Sequence, residues 1–250
     1  MADFRNYQNR AQSGAQSGAM IDEGLRAYML KVYNLMALGL AITGVAAYLS
    51  FTLAFANGQI TTFGQAIYLS PLKWVVIFAP LAMVFFLSFR INRMSVAAAT
   101  TTFWVYAALV GLSLSSIFII YTGQSIVQAF FVTAASFGAL SLYGYTTKRS
   151  LSAMGSFMMM GLFGLIIASL VNIFLASSAL QFAISVIGVL IFAGLTAYDT
   201  QKLKEMYLYE LGTPDGEVAA KASIFGALTL YLDFINMFQF LLSLMGNRNE

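Results

Sequence analysis

Two carboxylates stand where carboxylates are costly. Asp233 lies in LYLDFINMFQFLL, Leu230–Leu242, a run otherwise almost wholly apolar, and Asp199 closes another apolar run in LTAYDTQKLK. An acid in hydrocarbon needs a partner, a proton, a cation or water. If the two meet, they cannot both ionise cheaply, and they titrate as a unit. A shared proton holds their helices together. Losing it leaves like-charge repulsion, or a seat for a divalent cation. Calcium takes about 6–8 hard oxygen ligands. Two aspartates, an Asn amide and a few carbonyls or waters would make a weak site. Weak binding suits permeation, because a tight site does not release its ion.

Three more residues belong to this chemistry. Asn236 lies three residues after Asp233, on the same helical face, where it can extend a polar stripe. Arg90 and Arg93 are alternating partners for Asp199, or plain anchors at a membrane surface. The blander readings of the acids are an Asp199 held at the interface by Lys202, and an Asp233 that only fixes packing through a hydrogen bond.

Helices through a membrane must position these residues. The 250 residues are 60% hydrophobic and only 9% charged, too few charges to cover a soluble globule. There is no cysteine, which excludes disulfides and thiolate metal sites, and no histidine, so a pH response near neutrality falls to a carboxylate or to something bound. The bases are spread along the chain, which points away from nucleic acid. The expected surroundings are a lipid bilayer, calcium ions and other membrane proteins.

Charged residues and turns divide the apolar sequence into seven spans of about 20 residues or more. They begin with one near Val32–Phe55 and one near Leu72–Phe89, kinked at Pro80. Two more lie either side of the YTGQS turn, Tyr121–Ser125, and two either side of LASSALQ. The last is near Ala219–Met245. The expected organisation is a disordered tail over 1–31, too long and polar for a signal peptide, a membrane domain over 32–245 and a short tail over 246–250. PDG in GTPDGE reads as a turn. Ala134 and Gly138 read as helix packing, and Met158–Met160 as lipid-facing or packed side chains. Asn172, Ser113, Ser115 and Ser116 read as interhelical hydrogen-bonding residues.

Bases mark one side. Arg5, Arg10, Arg26 and Lys31 precede span 1; Arg90 and Arg93 separate spans 2 and 3; Lys148 and Arg149 separate spans 4 and 5; Lys202, Lys204 and Lys221 lie between spans 6 and 7. The alternation places the N-terminus in the cytoplasm. Arg248 dissents, and a re-entrant last span would put the tail inside.

The stretches GLSLSSIFIIYT, TAASFGALSLYGYTTKRSLSAMG, FAGLTAYDTQKLK and ALTLYLDFINMFQFLL together resemble the Bax inhibitor-1 family in a bacterial form, over about Arg26 to Leu244. The resemblance implies an all-α fold of seven transmembrane helices, a central one surrounded by the others, in the bacterial inner membrane. It also implies a pH-responsive aspartate pair associated with calcium leak, which falls on Asp199 and Asp233. It implies no cofactor beyond calcium as the permeant ion. Two departures are Ser150, where relatives often carry an acid after TKR, and a span 2 without acids.

Other readings use the same residues. An intramembrane aspartyl protease needs GxGD and PAL motifs, and neither is present, so no enzyme is expected. A retinal protein needs a lysine deep in the last helix, and Lys221 is at its start. A calcium/proton exchanger and a non-conducting regulatory partner remain open.

Overall fold

A computed structural model describes residues 2–211 and 216–249, with side chains from Asp22 onward. Seven helices are long and apolar enough to cross a membrane. Span 1 belongs to the helix Ala2–Ala54, and span 2 is Leu72–Arg90. Span 3 is Val96–Leu114 with a short continuation Ile117–Ile120; span 4 is Gly123–Thr146 and span 5 Ser152–Leu175. Span 6 is Ser178–Met206 and span 7 Glu217–Met245. The expected all-α membrane fold is thus present. Span 7 is the most buried of the seven and packs on spans 1, 3, 4 and 6.

The ends follow local chemistry. Ser95, Thr122 and Ser177 each accept a backbone N–H through the side-chain oxygen, capping spans 3, 4 and 6. Asn57 and Gly58, both at positive φ, close a two-residue hairpin between Phe55–Ala56 and Gln59–Ile60. Pro80 sits inside span 2, as expected.

Two expectations are revised. The helix continues through residues 22–31, assigned above to a disordered tail. Leu25, Tyr28 and Met29 are buried there, and Tyr28 stacks on Tyr207. The charges of that stretch occupy one helical face while the apolar residues pack, so charge alone hid the helix. Before residue 22 the backbone belongs to the same helix from Ala2, against the expected disorder, and the PDG turn overlaps residues 212–215, which are not described. Second, Gly138 is not a packing glycine: a Cβ there meets nothing within 4 Å. The close approaches are elsewhere, at Gly111 on the Thr43 carbonyl, Gly144 on the Ala197 carbonyl and Gly155 on the Tyr198 ring. Asn172 does bond between helices, as expected: from span 5 it donates to Gln181 Oε1 of span 6 at 3.1 Å, and it also holds the intervening turn by accepting from Ser177 N. Ser115 does bond across elements, accepting from Tyr68 Oη at 2.8 Å, and Met160 faces outward while Met158 packs against Gly194.

The last helix runs from one end of the bundle to the other. Thr122 N donates to Asn247 O, Asn247 N to Ser125 Oγ and Asn249 N to Ile120 O, so the tail is pinned to the turn between spans 3 and 4. At the other end, Lys221 Nζ donates to Asn92 O, between spans 2 and 3. One end of the bundle is therefore base-rich. The other gathers the hairpin, the 3–4 and 5–6 turns and the tail, which excludes re-entry.

Candidate functional site

The site is built by four consecutive residues of span 6, each turned to a different neighbour. Tyr198 lies flat on Gly155 of span 5, where no side chain would fit. Thr200, fully buried, meets Ser141 of span 4 at 2.9 Å between hydroxyl oxygens. Gln201 closes the loop between spans 4 and 5: its Oε1 accepts from Leu151 N at 2.7 Å and its Nε2 donates to Arg149 O at 2.8 Å. With spans 4 and 5 held on either side, Asp199 is left facing span 7.

There it meets Asp233. The two carboxyl groups are close enough to interact. Asp233 is 4% exposed, and its Oδ2 has no protein donor. A hydrogen bond between two carboxyl groups requires one proton, held by one of them. Asp199 is only half-buried and also feels the charge of Lys202. The arrangement is asymmetric: one acid deep in the bundle, the other toward the base-rich end and next to a lysine.

The other predicted residues part company with the pair. Asn236 turns its amide back onto Leu232 O at 2.8 Å. It lines a cavity of about 370 Å³ between spans 2, 3 and 7 with Pro80, Ser113 and Gln239, one turn along span 7 from Asp233. Arg90 and Arg93 are exposed and make no ion pair among the described residues, where the one such pair is Lys221–Glu217 at 2.7 Å. Among the described residues no ion pair joins either to Asp199 in this conformation, in which Arg90 ends span 2, Arg93 follows it and Asp199 faces span 7. Among the described residues no group of three or more Asp, Glu, His or Cys could hold a metal ion. A cation at the pair would therefore draw its remaining ligands from carbonyls, amides or water.

Sequence reasoning missed two polar links. Tyr231 Oη meets Thr43 Oγ1 at 2.6 Å, fixing span 7 to span 1 half a turn from Asp233. Tyr33 Oη, on span 1, meets Ser141 Oγ at 2.5 Å and so extends the Ser141–Thr200 contact across three spans. Isolated hydroxyls in apolar helices were the available signal, but their pairing depends on rotation and depth, which one sequence does not supply.

Comparison with known proteins identifies the family. Residues 25–250 match the family described as Inhibitor of apoptosis-promoting Bax1. The chain is 51% identical over 235 residues to an uncharacterized protein of Rickettsia prowazekii, covering 92% of this chain and 93% of the relative. It is 46% identical over 252 residues to one of Caulobacter vibrioides, covering 100% of both. It is 49% identical over 225 residues to the inner membrane protein YbhL of Escherichia coli K12, covering 90% of this chain and 93% of that one. An integral membrane protein of seven apolar helices, this chain belongs to the Bax inhibitor family.

Proposed function

We propose that the protein is a calcium leak channel of a bacterial inner membrane, gated by a proton shared between Asp199 and Asp233. The observation that carries this reading is the buried Asp233 Oδ2, with no protein donor, beside the Asp199 carboxyl. With the proton present, the carboxyl groups bridge spans 6 and 7 and the path is closed. Without it, two like charges face each other in a low-dielectric bundle, where their repulsion is far larger than in water. The helices separate, or a divalent cation takes the proton's place. Flux therefore rises from acid to alkaline pH. The cavity beside Asn236, mostly apolar but with Ser113, Asn236 and Gln239 in its lining, offers the ion a few neutral oxygens one turn beyond the pair. The base-rich end faces the cytoplasm under this reading, and the protein catalyses no reaction.

The test is calcium flux into liposomes containing purified protein and a trapped indicator, from acid to alkaline pH, with Asp199→Asn and Asp233→Asn alongside. A pH-dependent flux lost in both variants supports the channel. A proton gradient driving calcium uphill would make it an exchanger instead. No flux above empty liposomes from folded protein would leave a non-conducting regulatory partner whose acids fix packing.

A further inference from the structure

A groove of about 470 Å³ opens between spans 1 and 4 in the half of the bundle toward the base-rich end. This is within the range of about 300–1,000 Å³ that small ligands fill. Its walls include Leu30 and Leu142, both exposed, and its width comes from Gly138, where a Cβ would meet nothing within 4 Å. Arg26 stands at one end and Tyr145 closes the other wall. From Arg26 to Tyr33 the groove follows two turns of span 1, about 10 Å at 1.5 Å per residue.

The chemistry of the two parts differs. The walls are hydrocarbon and face the bilayer, so a soluble peptide or a free ion has no reason to lie along them. Arg26 is exposed and has no ion pair among the described residues, although the exposed Asp22 and Glu23 lie one turn before it on the same helix. A guanidinium presents paired N–H donors that match a phosphate. Lys204, which meets the Tyr145 wall, is already committed: its ammonium donates to Tyr145 O at 2.8 Å and lies over the Tyr145 ring. An apolar channel whose lining has one base, Arg26, at its membrane-surface end is complementary to a single anionic amphiphile.

We propose that this groove is a binding site for one anionic phospholipid of the leaflet at the base-rich end, its phosphate on Arg26 and an acyl chain lying over Gly138. The site is joined to the acid pair. Thr200 donates its hydroxyl proton to Thr196 O, so Ser141 must donate to Thr200, and Tyr33 to Ser141. Each hydroxyl has one proton and each is used. The chain is a strut rather than a proton path: it connects the groove wall at Tyr33 and Ser141 to the residue that follows Asp199. A lipid that reorients Tyr33 changes the support of Asp199. That consequence rests on the proposed gating of calcium by the pair, whereas the binding site does not.

Native mass spectrometry of the full-length protein, stripped of lipid in detergent and titrated with phosphatidylglycerol or phosphatidylcholine, tests the site without any flux measurement. One unpaired base near the surface predicts a preference of roughly fivefold for the anionic lipid. Arg26→Gln should remove the preference and leave weak binding of both. Gly138→Leu should fill the groove and weaken both, with Arg26→Gln sufficient by itself should the leucine variant not fold. Inorganic phosphate should not compete. Equal binding of the two lipids by the wild type, or a preference that survives Arg26→Gln, would overturn the proposal. Because binding is read directly, its failure is distinguishable from a failure of the calcium reading.

Discussion

Gly144 and Ala197 touch backbone to backbone: a Cβ on Gly144 would overlap the Ala197 carbonyl oxygen. That contact sets how closely span 4 approaches span 6, two residues before Asp199. Overpacking a tight interface costs about 1–3 kcal/mol. Gly144→Ala should lower the melting temperature in detergent and shift span 6 relative to span 7. In liposomes it should also weaken the pH dependence of calcium flux, because Asp199 no longer meets Asp233 squarely. Gly138→Ala, at a position where a Cβ meets nothing within 4 Å, is the control, expected to change neither.

The acid pair makes a prediction that needs no transport. If one proton bridges Asp199 and Asp233, alkaline pH removes it and leaves two facing charges, so the wild type should melt at a lower temperature in alkaline than in acid buffer. Asp233→Asn removes one charge and supplies N–H donors to Asp199. Its melting temperature should be nearly independent of pH across the same interval and should exceed the wild type's at the alkaline end. The measurement is a thermal melt in detergent at matched ionic strength. A wild type and variant with parallel pH profiles would remove the pair from the account.

Gln201 satisfies two backbone groups at once, Leu151 N and Arg149 O. Leu151 is buried, so water does not readily replace the lost acceptor. An unsatisfied buried group costs about 1–3 kcal/mol. Gln201→Ala should therefore destabilise the protein by that order and raise hydrogen exchange at the Leu151 amide. Gln201→Glu keeps the acceptor for Leu151 N, loses the donor to Arg149 O, and should fall between the two.

The positions of the spans were readable from the sequence because charges and turn residues punctuate apolar runs: span 2 was expected near Leu72–Phe89 and is Leu72–Arg90. Asp199 and Asp233 were identifiable because an acid in hydrocarbon is conspicuous, and adjacent antiparallel helices put them at similar depth. What was not readable is rotation. Asn236 shares a face with Asp233 by spacing, yet its amide folds back onto its own helix and toward the cavity beside Pro80. Residues 22–31 were hidden for a related reason, since their charges disguised the buried face formed by Leu25, Tyr28 and Met29. The Gly138 groove was mistaken for packing because a small residue signals either close approach or open space, and only the neighbour decides which.

Arg90 and Arg93 carry a prediction of no effect. They are exposed at the end of span 2 and form no ion pair among the described residues, whereas Asp199 faces Asp233 and feels Lys202. Exposed charges at a membrane surface orient and anchor a helix. Arg90→Ala and Arg93→Ala, singly or together, should leave the pH profile of flux and the alkaline melting temperature within error of the wild type. Lys202→Ala should change both, because it removes the one cation whose charge reaches Asp199 and so makes a lone carboxylate there less favourable. A pH profile moved by the arginines and not by Lys202 would mean that span 2 swings to the pair in the conducting state.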